Sequence, residues 1–191
     1  MDNSCNWATR NKLMQQYHDK EWGIPLHDDQ KLFEFLVLEG FQAGLSWQTV
    51  LNKREAFREA FDGFLPEKVA KYQEADVDRL MNNSLIIRNK QKIQATISNA
   101  RYFLEIQKEF GSFDHYIWGF LNFKPVINEF STLSQLPATS ELSDTISKDL
   151  RMRGFKFVGS TIVYAHMQAT GMVNDHLVSC SRYHEIIMMN K

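Results

Sequence analysis

Leu80-Met-Asn-Asn-Ser-Leu-Ile-Ile-Arg-Asn-Lys-Gln-Lys-Ile93 is the stretch on which the fold turns. It follows a helical pattern over Asp76 to Met81 and leads into a longer helix that runs to Phe110 and is closed by Gly111. Two helices therefore meet at a tight connection. Arg88, Lys90 and Lys92 put three cations on it with no acid between them, where the first N–H groups of the second helix are free to meet an anion. A backbone phosphate suits this arrangement, and so does an ordinary helical hairpin with a solvated basic edge.

Working back from the hairpin, Pro66 starts a helix to Tyr72, and Ser46 caps another over Trp47 to Phe61. Before these, Asp28 to Leu38 reads as an amphipathic helix capped by Asp28 or Asp29, with Leu32, Phe33, Phe35, Leu36 and Leu38 inward. Glu39 falls in its last turn. A negative charge there opposes the helix dipole at a cost of roughly 0.3–1 kcal/mol if exposed, and Gly40 and Gly44 strip side chains from the backbone beside it. One reading is a solvated glutamate at a glycine-rich helix end. The other follows from Trp47, whose ring begins the next helix close to the carboxylate, because an acid beside an aromatic face suits a cationic, nitrogen-rich ring. The first twenty-five residues carry Cys5, Trp7, Tyr17, His18 and Trp22, with a short helix over Asn11 to His18 and a turn over Glu21 to Pro25 that places Trp22 on a loop.

Beyond the hairpin, helices are expected over Ser112 to Leu121, Ser140 to Arg153 (stopped by Gly154) and Ser160 to Gly171, with a Pro-punctuated passage around Pro125 and Pro137. Lys148, Arg151, Arg153 and Lys156 against Asp149 make a second basic patch. Period-2 alternation is almost absent, so the chain reads as all-α. In the tail, His176 and Cys180 are four residues apart and would share one face if helical. Cys5 and His18 complete a Cys2His2 set, which would bind a structural Zn²⁺ tetrahedrally, fasten the chain ends together and leave no position for catalytic water. His27, His115, His166 and His184 are not needed for this set.

With 191 residues, 43% of them hydrophobic, the chain can bury a sizeable core in one domain. A net charge of −1 and a pI near 6.6 carry no global signal for nucleic acid, so such contact must rest on local patches. Met-Asp-Asn-Ser-Cys5 lacks the apolar core of a signal peptide, and no stretch approaches the ~20 apolar residues of a membrane span. A cytoplasmic protein is expected, with Cys5 and Cys180 reduced rather than paired.

Cys5-Asn-Trp7, Tyr17-His18-Asp19 with Glu21-Trp22-Gly23, Leu38-Glu39-Gly40 with Gln42-Ala43-Gly44-Leu45-Ser46-Trp47, Ile86-Ile87-Arg88, Arg153-Gly154-Phe155-Lys156-Phe157-Val158-Gly159 and Asn174-Asp175-His176 resemble the DNA-3-methyladenine glycosylase I family along nearly the whole chain. The resemblance implies an all-helical helix-hairpin-helix glycosylase fold over residues 1–191, with residues 1–25 and 172–185 forming the zinc-stapled part. It implies excision of N3-methyladenine from alkylated DNA, with Tyr17 and Glu39 hydrogen-bonding the base and Trp22 and Trp47 shaping or stacking on a pocket to which Trp7 also belongs. Two departures stand out. Leu85 occupies a hairpin position where many relatives carry glycine, which predicts a reshaped phosphate-binding turn, and Phe41 replaces a polar residue beside Gln42.

The chemistry fits these residues. Methylation at N3 makes adenine cationic and activates it as a leaving group, so an enzyme must chiefly extrude the nucleotide and recognise a flat cation. Trp47 can favour the cation by ~0.5–2 kcal/mol through cation–π attraction, and Glu39 adds a charged acceptor. Glu39 is assigned to base binding and electrostatic stabilisation rather than nucleophilic attack. No lysine presents itself for a Schiff base, so base release without strand cleavage is expected from a monomer acting on double-stranded DNA. Arg88, Lys90 and Lys92 are the expected DNA contacts, and Leu45 is either a wedge filling the vacated stack or a core leucine. Two other classes stay open: a helix-hairpin-helix DNA-binding module without chemistry, and a zinc-stapled interaction protein.

Overall fold

In the computed structural model, which describes residues 5–189, helices supply nearly all the regular structure. The first four residues, on which part of the N-terminal reading rests, lie outside the described residues. The α-helices are α1 (Lys12–Lys20), α2 (Asp29–Gln42), α3 (Trp47–Leu51), α4 (Arg54–Ala60), α5 (Pro66–Val69), α6 (Glu74–Asn82), α7 (Lys90–Phe110), α8 (Phe113–Gly119), α9 (Glu141–Met152), α10 (Ser160–Ala169) and α11 (Ser181–Met189). Their starts follow side-chain chemistry: Asn11, Asp28, Asn89 and Ser140 each accept a hydrogen bond from a backbone N–H of the helix that follows. No helix among the described residues is long and apolar enough to cross a membrane.

α2 is the element around which the rest is packed. It runs four residues past the expected end at Leu38, and every residue from Leu32 to Phe41 is buried. The expected single inward stripe is thus replaced by burial all round, because α3, α7, α8 and α10 each pack against it. Phe33 meets Phe103 at 5.1 Å between ring centroids, and Phe41 meets Phe57 at 4.7 Å. Each such buried ring contributes roughly 1.5–3 kcal/mol of apolar transfer.

Three local expectations are corrected. The helix expected over Trp47 to Phe61 is broken after Leu51 and restarts at Arg54. The break turns Arg54 inward, where its guanidinium meets Glu34 at 2.5 Å and Glu21 at 2.7 Å. The second correction concerns Leu85, which does not occupy the left-handed region. The turn is closed instead by the Asn83 side chain, which accepts from the Leu85 N–H at 3.0 Å, while Lys53 Nζ donates to the Leu85 carbonyl at 2.8 Å. A leucine therefore fits here without strain.

Third, the segment holding His176 and Cys180 is not helical. A two-residue parallel pair, β1 (Val126–Ile127) with β2 (Val173–Asn174), delivers it instead. Asp175, 1% exposed, then receives hydrogen bonds from Asn128, Tyr164 and Gln168 at 2.6–2.8 Å. Fully satisfied in this way, Asp175 fixes the loop that presents His176.

Candidate functional site

Two buried glutamates on α2 have opposite surroundings. Glu34, 4% exposed, is met by the guanidinium groups of Arg54 and Arg58 and holds α2 to α4. Glu39, five residues on and 3% exposed, has no hydrogen-bond or ion-pair partner among the described residues. Burial without a counter-charge pushes its carboxyl up to about 8. The solvated helix-end reading therefore does not hold. An unpaired buried carboxyl carries a desolvation cost of several kcal/mol when ionised, which points to a partner supplied from outside the chain.

Glu39 faces a cavity of about 300 Å³ that is also lined by Trp7, Tyr17, Trp22 and Trp47. Local folding explains how these residues converge. The Asn6–Arg10 3-10 turn carries Trp7, α1 carries Tyr17, the turn after α1 carries Trp22, and Ser46 caps α3 so that Trp47 is its first residue. The rings contact one another: Trp7 meets Trp22 at 5.1 Å edge-on, and Tyr17 meets Trp47 at 5.2 Å. The Tyr17 side chain makes no hydrogen bond among the described residues. Burial, and then the neighbouring Glu39 carboxyl, hold its phenol well above the ordinary value, so it is a donor at neutral pH. Trp47 Nε1 is likewise buried without a partner. The cavity thus combines flat apolar walls with an acid and a phenol that no group among the described residues satisfies, the arrangement expected for a planar ring bearing nitrogen donors.

A second recess of about 220 Å³ adjoins the first through Glu39, Gln42 and Ala165 and is lined on its outer side by Leu45. Leu45, 43% exposed, is not a core leucine. It sits on a turn in which its N–H donates to the Gln42 carbonyl at 2.6 Å and Gly44 takes φ +81°.

Cys5, His18, His176 and Cys180 come together as four buried side chains whose nitrogen and sulfur donor atoms all lie within 4.8 Å of one another. Cys180 Sγ is 3.6 Å from both His18 Nε2 and His176 Nδ1, and Cys5 Sγ is 3.9 Å from His176 Nδ1. A tetrahedron with Zn–S near 2.3 Å and Zn–N near 2.05 Å has sulfur–nitrogen edges of roughly 3.6 Å, so the donor set fits a metal of that size. The ring nitrogens facing away are also held: His18 Nδ1 lies 2.7 Å from Asp19 and His176 Nε2 lies 3.0 Å from the Trp22 carbonyl. Gly23 permits this closeness, since its φ of +79° suits glycine and a Cβ there would lie 3.0 Å from the His176 ring. Trp22 packs edge-on against His176 at 4.6 Å, so the cluster also buttresses one wall of the cavity.

The hairpin cations separate. Arg88 is exposed and makes no ion pair among the described residues, and Lys90 is exposed but pairs with Glu74 at 2.7 Å. Lys92, expected at the DNA surface, is instead buried, with Nζ donating to the carbonyls of Phe41 and Ala43 at 2.9 and 2.8 Å. Its ammonium is occupied by the protein's own backbone, which corrects its assignment as a phosphate contact. In the second basic patch Arg153 is similarly engaged by Glu109 and Asp149.

The reading of residues one at a time missed Gln42, Gln48, Met14, Arg10, Leu136 and Gln168 on the cavity wall. Gln42, at helical spacing from Glu39, carried a usable signal; Leu136 and Gln168 arrive through long-range folding and carried none.

A family model described as methyladenine glycosylase matches residues 7–183. The chain is 50% identical over 179 residues to DNA-3-methyladenine glycosylase 1 of Escherichia coli (strain K12), covering 94% of this chain and 96% of that protein. It is similar to a crystal structure of 3-methyladenine DNA glycosylase I, with a TM-score of 0.91 and 48% identity over 94% of this chain and 98% of the other. It is equally similar, with a TM-score of 0.91 at 38% identity over 94% and 96% of the two chains, to a single-substitution variant of 3-methyladenine DNA glycosylase I solved in complex with 3-methyladenine.

Proposed function

The chain belongs to the methyladenine glycosylase family, and on that premise we propose that the aromatic cavity around Glu39 receives N3-methyladenine flipped out of alkylated double-stranded DNA. The protein is a DNA-3-methyladenine glycosylase of base-excision repair. One domain of helix-hairpin-helix type spans the chain and acts as a monomer.

The observation that carries the site assignment is the pair of unsatisfied polar groups, Glu39 and Tyr17, inside aromatic walls. The substrate base is cationic and the product base neutral. When C1′–N9 breaks, the bond's electron pair stays with the base and water adds to C1′ with loss of a proton. Little leaving-group activation is needed, so the pocket's task is to hold and select. Glu39 supplies the acceptor and the counter-charge, Tyr17 a further hydrogen bond, and Trp47 a face for the cation, with Trp22 and Trp7 closing the walls. Without a counter-charge beside it, Glu39 holds its proton up to about pH 8. A bound cation would release that proton, so binding discriminates by charge as well as by shape.

Arg88 and the first turn of α7 are the proposed grip on the DNA backbone, with Lys90 beside them, and Leu45 is the proposed wedge at the mouth of the cavity. Zn²⁺ held by Cys5, His18, His176 and Cys180 would fasten the two chain ends and supply structure alone, since four protein ligands close its coordination. The test of the site is single-turnover release of 3-methyladenine by wild type and Glu39→Gln. A rate lowered about tenfold or more with duplex binding intact is expected; an undiminished rate would remove Glu39 from the site.

A further inference from the structure

Lys92 stands where an ammonium carries two penalties. It lies in the first turn of α7, where a cation opposes the helix dipole, and it is 8% exposed, so that burial lowers the pKa of its ammonium. A methionine would fill the same volume beside the Phe41 ring without either cost. What the ammonium obtains instead is the end of α2. A helix terminus leaves its last carbonyls without partners, and α2 ends in a turn in which Ala43 (φ −48°, ψ 116°) and left-handed Gly44 bring the Leu45 N–H back to the Gln42 carbonyl, which leaves the carbonyls of Phe41 and Ala43 to another donor. Lys92 Nζ takes over that role across 51 and 49 residues of sequence, donating to the carbonyls of Phe41 and Ala43.

The segment so held carries the site. Glu39 and Gln42 are in the last turn of α2, and Gly44 to Trp47 follow directly. At its other end Lys92 is fastened to the hairpin, because its own N–H donates to the Asn89 side chain that caps α7 at 3.1 Å. Lys92 does not line the cavity and does not pair with Glu39, whose carboxyl remains uncompensated.

We propose that Lys92 is a positioning residue for the base pocket, clamping the Glu39 end of α2 to the DNA-facing hairpin so that the base-binding groups and the Leu45 turn keep a fixed place relative to the DNA backbone. The proposal rests on the glycosylase reading of the cavity. It makes the hairpin and the pocket one rigid unit rather than two surfaces joined by a loop.

The test uses Lys92→Met and Lys92→Gln, with Lys92→Arg as the conservative rescue, all assayed well below their melting temperatures. With enzyme saturating, single-turnover base release should fall about tenfold or more in Lys92→Met and Lys92→Gln, since small misplacements of binding groups cost that much. The duplex Kd and its salt slope should stay within about twofold of wild type, and Lys92→Arg should recover most of the rate. Amide exchange at Leu45, whose N–H is held by the Gln42 carbonyl, should accelerate about tenfold or more in the first two variants while the middle of α7 keeps its protection. An unchanged saturated rate with unchanged exchange at Leu45 would overturn the proposal. So would a shallower salt slope, which would return Lys92 to phosphate binding. Wild-type protein that releases no base would instead refute the glycosylase reading, and the exchange measurement would still decide whether Lys92 holds the turn.

Discussion

Replacing Glu39 by glutamine keeps the side chain's shape and removes its titration, so the pair of proteins isolates the cost of a buried, unpaired carboxyl. The carboxyl is 3% exposed and lies at about 8, raised by burial from an ordinary value of 4.5. Because the folded value lies above the unfolded one, the stabilisation is fully present below about pH 4.5 and is lost as pH rises through about 8. The whole shift corresponds to roughly 5 kcal/mol at about 1.4 kcal/mol per pH unit, of which about 4 kcal/mol falls between about pH 5 and pH 9. This is an upper bound, since water entering the cavity softens the desolvation. For a chain of this size each kcal/mol moves Tm by about 2–4 °C, so the wild-type Tm should fall by on the order of 10 °C relative to Glu39→Gln across that range. Taking the difference between the two proteins cancels groups that titrate alike in both, such as buried His166, whose imidazole is lowered to about 4. Thermal unfolding at about pH 5, 7 and 9 is the assay. A Tm difference that does not change with pH would show that Glu39 is paired or hydrated, and the reasoning from an unsatisfied carboxyl would fail.

Metal analysis of protein purified without chelator should find about one Zn²⁺ per chain; Cys180→Ser should lose it and melt lower, and unchanged metal content would refute the ligand set. Arg88→Ala should weaken binding to all DNA sequences alike and flatten the salt dependence by about one unit of slope, whereas an unchanged slope would move the phosphate contact to the Lys148 to Lys156 patch. Trp47→Ala should weaken binding of free, neutral 3-methyladenine by roughly 2- to 12-fold, ~0.5–1.5 kcal/mol of lost ring stacking, read by calorimetry. Equal affinity would leave Trp47 a packing residue only.

The caps and periodicities that specify α1, α2, α7 and α9 were legible because they are local: an Asn, Asp or Ser whose side chain reaches a backbone N–H three residues on. Glu39 was legible as a misfit, a charge at the wrong end of a helix among apolar neighbours, and its burial answers that misfit. The four residues of the Cys/His cluster were legible by type, although their geometry was not, since His176 and Cys180 meet across a loop delivered by β2 rather than along a helix. Lys92 and Arg88 look alike in sequence. What separates them is the position of the α2 carbonyls some fifty residues earlier, which no local pattern encodes. The same holds for Glu34, whose burial depends on Arg54 turning inward at the break between α3 and α4.

The cavity is proposed to select a methylated adenine by charge and shape, so that the protein releases it as a free base. The direct measurement is chromatographic identification of the bases freed when purified protein is incubated with methylated double-stranded DNA. Release of 3-methyladenine is expected, with retention of 7-methylguanine, which presents a different edge to Glu39 and Tyr17, and no strand cleavage by the protein itself. Release of no base, or release of both bases at equal rates, would contradict that selection.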